Sequence, residues 1–150
     1  GTFGKAFGSG GAFLATDKLT GEKLIQNCGA FRYTTALAPP LCASALAALN
    51  LIKKNPKWGR ELQETSIALR DKLSQIGWQR PIGKGPIISI ILGSDELAIS
   101  YQKRLEAQGL LTVAIRPPTV PEAQSRLRLI IRRNTPAQAF ERLIKVLKNK

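Results

Sequence analysis

Gly1-Thr2-Phe3-Gly4-Lys5-Ala6-Phe7-Gly8-Ser9-Gly10-Gly11 opens the chain, and the reading of the fold turns on it. Glycine at this density lets backbone amides approach a phosphate closely, and a lysine among them offers charge or a nucleophilic amine. The stretch is not a P-loop. That motif is G-x-x-x-x-G-K-[ST], whereas only two residues separate Gly1 from Gly4 here and Ala6 stands where the hydroxyl belongs. It is not a dinucleotide fingerprint either, because no strand precedes it in this chain. Read from composition alone, it is equally a flexible glycine loop with an exposed lysine.

Outward from this stretch, residues 12–15 form a short apolar strand candidate, and Leu19 onward to Asn27 a short helix. Residues 40–52 are apolar on nearly every face (Leu41, Ala45, Leu46, Ala48, Leu49, Ile52), which predicts a helix buried on several sides. Residues 57–76 place Leu62, Leu69, Leu73 and Ile76 on one helical stripe, with Gly77 at the expected stop. A turn-rich passage, 77–85, then separates two regular regions. Beyond it the pattern predicts a strand at 86–92, a helix from its Ser94 cap to Gln108, and a strand at 110–115. A rigid Arg-Pro-Pro-Thr-Val-Pro loop follows, and then a strand at 126–131 that alternates arginine with aliphatic residues. The last helix opens on Thr135, Pro136 and a capping-box Gln138 and carries Phe140, Leu143, Ile144 and Leu147. Trp58, Trp78 and Phe140 are expected in the core or between lobes. The expected organisation is α/β, with one domain at 1–80 and a small α+β domain at 81–150.

The 150 residues suffice for one domain with a real core or for two small lobes. At 43% hydrophobic and 22% charged, the chain reads as globular. No apolar run approaches the roughly 20 residues of a membrane span, and no secretory signal stands at the front, so no membrane association and a cytoplasmic location are expected. Cys28 and Cys42 are too few and too far apart for a zinc or redox motif, and are expected as buried thiols. Histidine is absent, which removes the commonest metal ligand and the usual nucleophile relay, and no metal is expected. Met is absent too, and the chain begins inside a glycine motif, so residues 1–150 are expected to be part of a longer protein. The net charge of +13 raises a nucleic-acid reading. Its distribution argues against one: the basic residues are mostly single and interleaved with apolar ones, apart from Lys53-Lys54, Arg132-Arg133 and the Lys148/Lys150 tail.

Thr2-x-x-Lys5-x-x-Gly8, followed by Gly11-Ala12, resembles the cofactor-lysine segment of the α-oxoamine synthases, fold-type I pyridoxal-phosphate enzymes that join an amino acid to an acyl thioester. Tyr33-Thr34-Thr35-Ala36-Leu37-Ala38-Pro39-Pro40 is similar to the family's segment ahead of a buried helix. Ala114-Ile115-Arg116-Pro117-Pro118-Thr119-Val120-Pro121, with Arg126-Leu127-Arg128-Leu129, is similar to its substrate loop and following strand. The three segments occur in the family's order. The form of the last is most like the branch that condenses L-alanine with a pimeloyl thioester, on coenzyme A or a carrier protein, in biotin synthesis.

The resemblance implies the remainder of a large cofactor domain followed by a small C-terminal domain. It implies pyridoxal 5'-phosphate held as an aldimine on Lys5, which also moves the substrate's α-proton. Thr2 matches a phosphate-binding hydroxyl. Thr34 and Thr35 match a segment that reaches the phosphate in a neighbouring subunit, hence a homodimer. Arg116 matches the arginine that holds the amino-acid carboxylate, a task suited to the guanidinium fork, and Thr119 of the same loop is a second expected substrate-binding residue. Arg126 and Arg128 are expected to face solvent or support the loop. The family's usual histidine after that strand is replaced by the run Arg132-Arg133-Asn134-Thr135. The ring-stacking and pyridine-pairing residues lie upstream in the family, so a missing N-terminal half of the same enzyme is an implied partner. The competing readings are an inactive C-terminal fragment of such an enzyme and a small basic nucleic-acid-binding protein.

Overall fold

The computed structural model describes residues 1–148, so the expected basic tail at Lys150 lies outside the described residues. The chain forms two compact units, Gly1–Pro56 and Lys57–Lys150. The turn-rich passage 77–85 falls inside the second unit, where it joins a helix to a strand.

In the first unit the glycine-rich stretch folds back on itself. Gly1 and Phe13 exchange backbone hydrogen bonds at 2.9 and 3.0 Å, and Phe3 N–H donates to Gly11 O at 2.9 Å. The only ladder this makes is an isolated Thr2–Ala12 bridge, so the strand expected at 12–15 does not form. Its one partner is the short glycine arm, and beyond Phe13 nothing continues the pairing. Helix α1 (Lys18–Asn27) bears out the short helix expected there, and Asp17 caps it by accepting Thr20 N–H at 2.9 Å. A single turn, α2 (Gly29–Arg32), was not anticipated. Helix α3 (Pro39–Lys54) starts on two prolines suited to a first turn. It forms where expected but is not buried: Leu46 is 58% and Leu51 55% exposed. The unit offers no sheet to lie against it, and Cys42 on this helix is exposed rather than buried, with Cys28 half-buried.

The second unit holds α4 (Trp58–Gln75), β1 (Ile87–Gly93), α5 (Asp95–Glu106), β2 (Val113–Ile115), β3 (Ser125–Ile130) and α6 (Ala137–Lys148). The strands form one antiparallel sheet in the order β1-β3-β2, so the last strand in sequence is the central one. Helix α4 ends in a Schellman turn. Gly77 adopts φ +88°, and the Trp78 and Gly77 N–H groups bond Leu73 O and Ser74 O at 3.1 and 3.0 Å. Ser94 caps α5 by accepting Leu97 N–H at 3.2 Å. Strand β2 is shorter than the 110–115 expectation because Leu110 N–H is spent on Leu105 O at 3.0 Å, closing the turn at Gly109. The Thr135 hydroxyl accepts Arg132 N–H and donates to Arg132 O, which closes the turn ahead of α6.

The core gathers Leu69 and Leu73 of α4, Ile88 and Ile90 of β1, Leu105 of α5, Leu127 and Leu129 of β3, and Leu143 and Leu147 of α6. Each fully buried aliphatic chain contributes about 1.5–3 kcal/mol relative to exposure. Trp78 packs edge-on to Tyr101, ring centroids 5.6 Å apart, and its indole N–H donates to Leu147 O at 2.9 Å. Phe140 is half-buried against the same core, while Trp58 lies at the rim beneath the Arg133 guanidinium, 4.4 Å from its ring centre. Among the described residues no helix is long and apolar enough to cross a membrane.

Candidate cofactor and substrate site

The structure divides the candidate residues between the units. Thr2, Lys5, Thr34 and Thr35 belong to the first, and Arg116 and Thr119 to the second.

Glycine positions shape the loop that carries Lys5. Gly8 takes φ +57° and Gly11 φ +92°, conformations that L side chains rarely adopt. Gly8 N–H closes a turn onto Lys5 O at 2.9 Å, and Ser9 N–H returns to Phe3 O at 3.0 Å. Phe3 stacks with Phe7 and Phe13, centroids 5.1 and 5.4 Å away, which braces the loop from below. Ser9 ties it to α3 by donating to Leu41 O at 2.6 Å. Lys5 is left exposed at the turn.

The Thr2 hydroxyl accepts Gly4 N–H at 3.2 Å and donates to Gly11 O at 3.3 Å. The second bond is long, and a stronger acceptor such as a phosphate oxygen would outcompete it. At Gly4 a Cβ would lie 3.6 Å from Thr2 Oγ1, so glycine there leaves the hydroxyl approachable. A hydroxyl, an exposed amine and a glycine-walled turn together fit a phosphate-bearing aldehyde. Thr34 and Thr35 lie in the exposed coil 33–38 between α2 and α3.

Arg116 leaves the end of β2. Its carbonyl accepts Thr119 N–H at 3.0 Å, closing a turn around Pro117 and Pro118, whose peptide bond is cis. Ala114 N–H donates to Gln102 Oε1 at 2.8 Å, which ties β2 to α5 behind the loop. Both Arg116 and Thr119 are exposed. Neither is engaged by a side-chain hydrogen bond among the described residues, which leaves the guanidinium fork open to a carboxylate.

Two arginines carry more than their sequence positions suggested. On β3, Leu127 and Leu129 face the core, while Arg126 and Arg128 lie on the other face with Ser89, Ile91 and Val113 in register. Arg126 is spent on Gln124, donating to its backbone and side-chain oxygens at 3.0 and 3.1 Å, in keeping with a loop-supporting role. Arg128 differs: its Nε is buried and has no partner among the described residues. The arginine–aliphatic alternation was the available signal, but periodicity locates a face without revealing who is satisfied on it. Arg70 was not singled out at all. It is 1% exposed on α4, and burial, with Arg80 nearby, pulls its pKa down from the ordinary arginine range.

The family profile for aminotransferase class I and II matches residues 1–147. The chain is 38% identical to the 8-amino-7-oxononanoate synthase of Saccharophagus degradans over 148 residues, covering 98% of this chain and 37% of that protein. It is 32% identical to the enzyme of that name from Lysinibacillus sphaericus, covering 99% and 38%. The solved 8-amino-7-oxononanoate synthase of Francisella tularensis superposes with a TM-score of 0.84 at 26% identity, over 98% of this chain and 43% of that one. Serine palmitoyltransferase of Sphingomonas wittichii superposes at 0.85 with 23% identity, over 98% and 37%, a likeness of fold. The chain thus spans little more than a third of the length of these curated relatives. A profile match over nearly every residue, with an α/β architecture shared with fold-type I enzymes, places this chain in the aminotransferase class I and II family, among the pyridoxal-phosphate-dependent α-oxoamine synthases.

Proposed function

We propose that this chain supplies the lysine, the phosphate contacts and the carboxylate arginine of a C-acyltransferase that condenses L-alanine with a pimeloyl thioester, releasing carbon dioxide and the free thiol and giving 8-amino-7-oxononanoate for biotin synthesis. The observation that supports this reading is similarity over 98–99% of this chain to enzymes of that name at 32–38% identity. The chain spans about a third of those enzymes. We therefore assign turnover to a homodimer in which residues 1–80 complete a cofactor domain, 81–150 form the small domain, and further polypeptide supplies the rest.

When bound, pyridoxal phosphate supplies an electron sink for the charge left at the substrate's α-carbon. The chain's own residues hold and orient. Lys5 Nζ would hold the cofactor until the substrate's amino group displaces it and, as the released amine, would take the proton from the α-carbon. Thr2 Oγ1 would donate a hydrogen bond to a phosphate oxygen in place of Gly11 O, and Thr34 and Thr35 would reach the phosphate across the dimer. Arg116 pairs both oxygens of the alanine carboxylate, with Thr119 keeping the loop closed behind it. Arg128 brings a second guanidinium with an open Nε to the sheet face from which the loop departs.

The test is intact and peptide mass spectrometry of the complete enzyme after pyridoxal phosphate and borohydride. The expected adduct lies on Lys5, and Lys5→Ala loses both adduct and turnover. An adduct elsewhere, or substantial turnover by the variant, would remove Lys5 from this role. Faster reaction with L-serine and a palmitoyl thioester would overturn the substrate assignment.

A further inference from the structure

Helix α5 holds both ends of the loop that carries Arg116. At the near end, Ala114 N–H on the edge strand β2 donates to Gln102 Oε1 at 2.8 Å, two residues before the arginine. At the far end, the fully buried Ser125 hydroxyl, on the first residue of β3, donates to Asp95 Oδ1. Asp95 and Gln102 stand seven residues apart in α5, which sets them on one helix face, about 10.5 Å apart along the axis. The Gln102 amide is itself oriented. Its Nε2 donates to Glu106 Oε1 at 2.9 Å, one turn on, which leaves Oε1 to accept.

A buried hydroxyl and a sheet-edge N–H each need a partner, and that need explains why the two bonds exist. It does not explain why both partners come from one face of one helix, one at either end of the loop 116–124. Between the anchors the loop is stiff. Thr119 N–H bonds Arg116 O at 3.0 Å, Gln124 N–H bonds Pro121 O at 3.2 Å, and Pro117, Pro118 and Pro121 each fix a backbone angle. Ala123 takes φ +57°, a left-handed conformation that a residue with a Cβ keeps only where its surroundings hold it. The Ser125 anchor stands two residues beyond it. A loop stiffened in this way passes the placement of its ends to the residue between them.

We propose that α5 is the positioning element for Arg116, with Gln102 and Asp95 as positioning residues that set where its guanidinium meets the amino-acid carboxylate. Both act through the loop, and their effect on substrate rests on the acyl-transfer reading.

The experiment measures L-alanine binding to the complete enzyme by titration calorimetry, with pyridoxal phosphate and without acyl donor. Gln102→Leu and Asp95→Ala each remove one anchor, whereas Gln102→Glu and Asp95→Asn keep an accepting oxygen. Each removal is expected to weaken L-alanine binding roughly fivefold, and each conservative variant to restore most of the loss. Combined with Arg116→Ala, the removals are expected to weaken it no further, because the misplacement acts through that guanidinium. A further loss of the same size in that background, or wild-type affinity in both removals, would overturn the proposal. Hydrogen exchange at the Thr119 and Gln124 amides reads the loop without substrate, and is expected to quicken in each removal. Unchanged exchange in both overturns the proposal as well. If the wild type binds no L-alanine, the acyl-transfer reading fails while exchange still decides whether α5 holds the loop. Circular dichroism melts check folding, and the two anchors, tested separately, decide the matter even if one variant does not fold.

Discussion

Arg70 donates from Nη2 to the main-chain oxygen of Ile87 at 2.9 Å, joining α4 to the first residue of β1 from a position only 1% exposed. Its Nη1 bonds both oxygens of Ser66, and the Ser66 hydroxyl in turn donates to Gly85 O at 2.5 Å. One guanidinium thus anchors the approach to the sheet, with no ion pair to a carboxylate among the described residues.

Replacing Arg70 by Ala is expected to lower stability by about 2–4 kcal/mol, since it leaves the Ser66 and Ile87 oxygens buried with fewer partners. Lysine should not restore the loss, because one ammonium cannot span both acceptors as the fork does. Urea unfolding of both variants provides the measurement; an Arg70→Lys midpoint equal to wild type would contradict this account.

The Lys5 loop rests on Gly11. At φ +92° a Cβ is strained, and it would also stand 2.4 Å from Leu37 Cδ1. Leu37 is an exposed, flexible chain able to turn away, so the lasting cost of Gly11→Ala is the backbone, about 1–2 kcal/mol. Hydrogen exchange should show faster opening at the Phe3 and Phe13 amides, with the second unit unaffected.

Asp17 accepts both the N–H and the hydroxyl of Thr20, at 2.9 and 2.7 Å, and these bonds hold its pKa below the ordinary value of 3.8. A depressed folded-state pKa means the cap contributes above the unfolded value and is lost as pH falls through the lower, folded one. Helix α1 is therefore expected to fray on acidification below about pH 4. Asp17→Asn keeps a capping oxygen but does not titrate. Chemical shifts of the first α1 turn between pH 5 and pH 2 should move in the wild type and stay level in the variant.

On the proposed reaction, Arg116→Ala removes a charge-assisted pair with the substrate carboxylate, worth about 1.5–3 kcal/mol, or roughly 10- to 150-fold in kcat/KM for L-alanine. Arg116→Lys is expected to recover only part of it, because a point charge does not reproduce the fork. A kcat/KM unchanged in both variants would move the carboxylate contact elsewhere, with Arg128 next in line.

What the sequence determined by itself is local. The Leu69–Leu73 stripe, the Ser94 cap, the Gly77 stop and the arginine–leucine alternation of β3 all formed as read, because periodicity, capping and glycine conformation depend on near neighbours. The order of Lys5, Thr34 and Arg116 along the chain was legible for the same reason, and it pointed to the family that the profile match establishes. Tertiary structure alone decided what depends on partners distant in sequence. It set β3 between β1 and β2, since strand pairing is non-local. It buried Arg70, which helical spacing alone places one step from an apolar stripe, and it left Arg128 Nε without an acceptor. It also left α3 uncovered although its composition called for burial, because a helix is buried only when another layer packs against it, and residues 1–56 provide none.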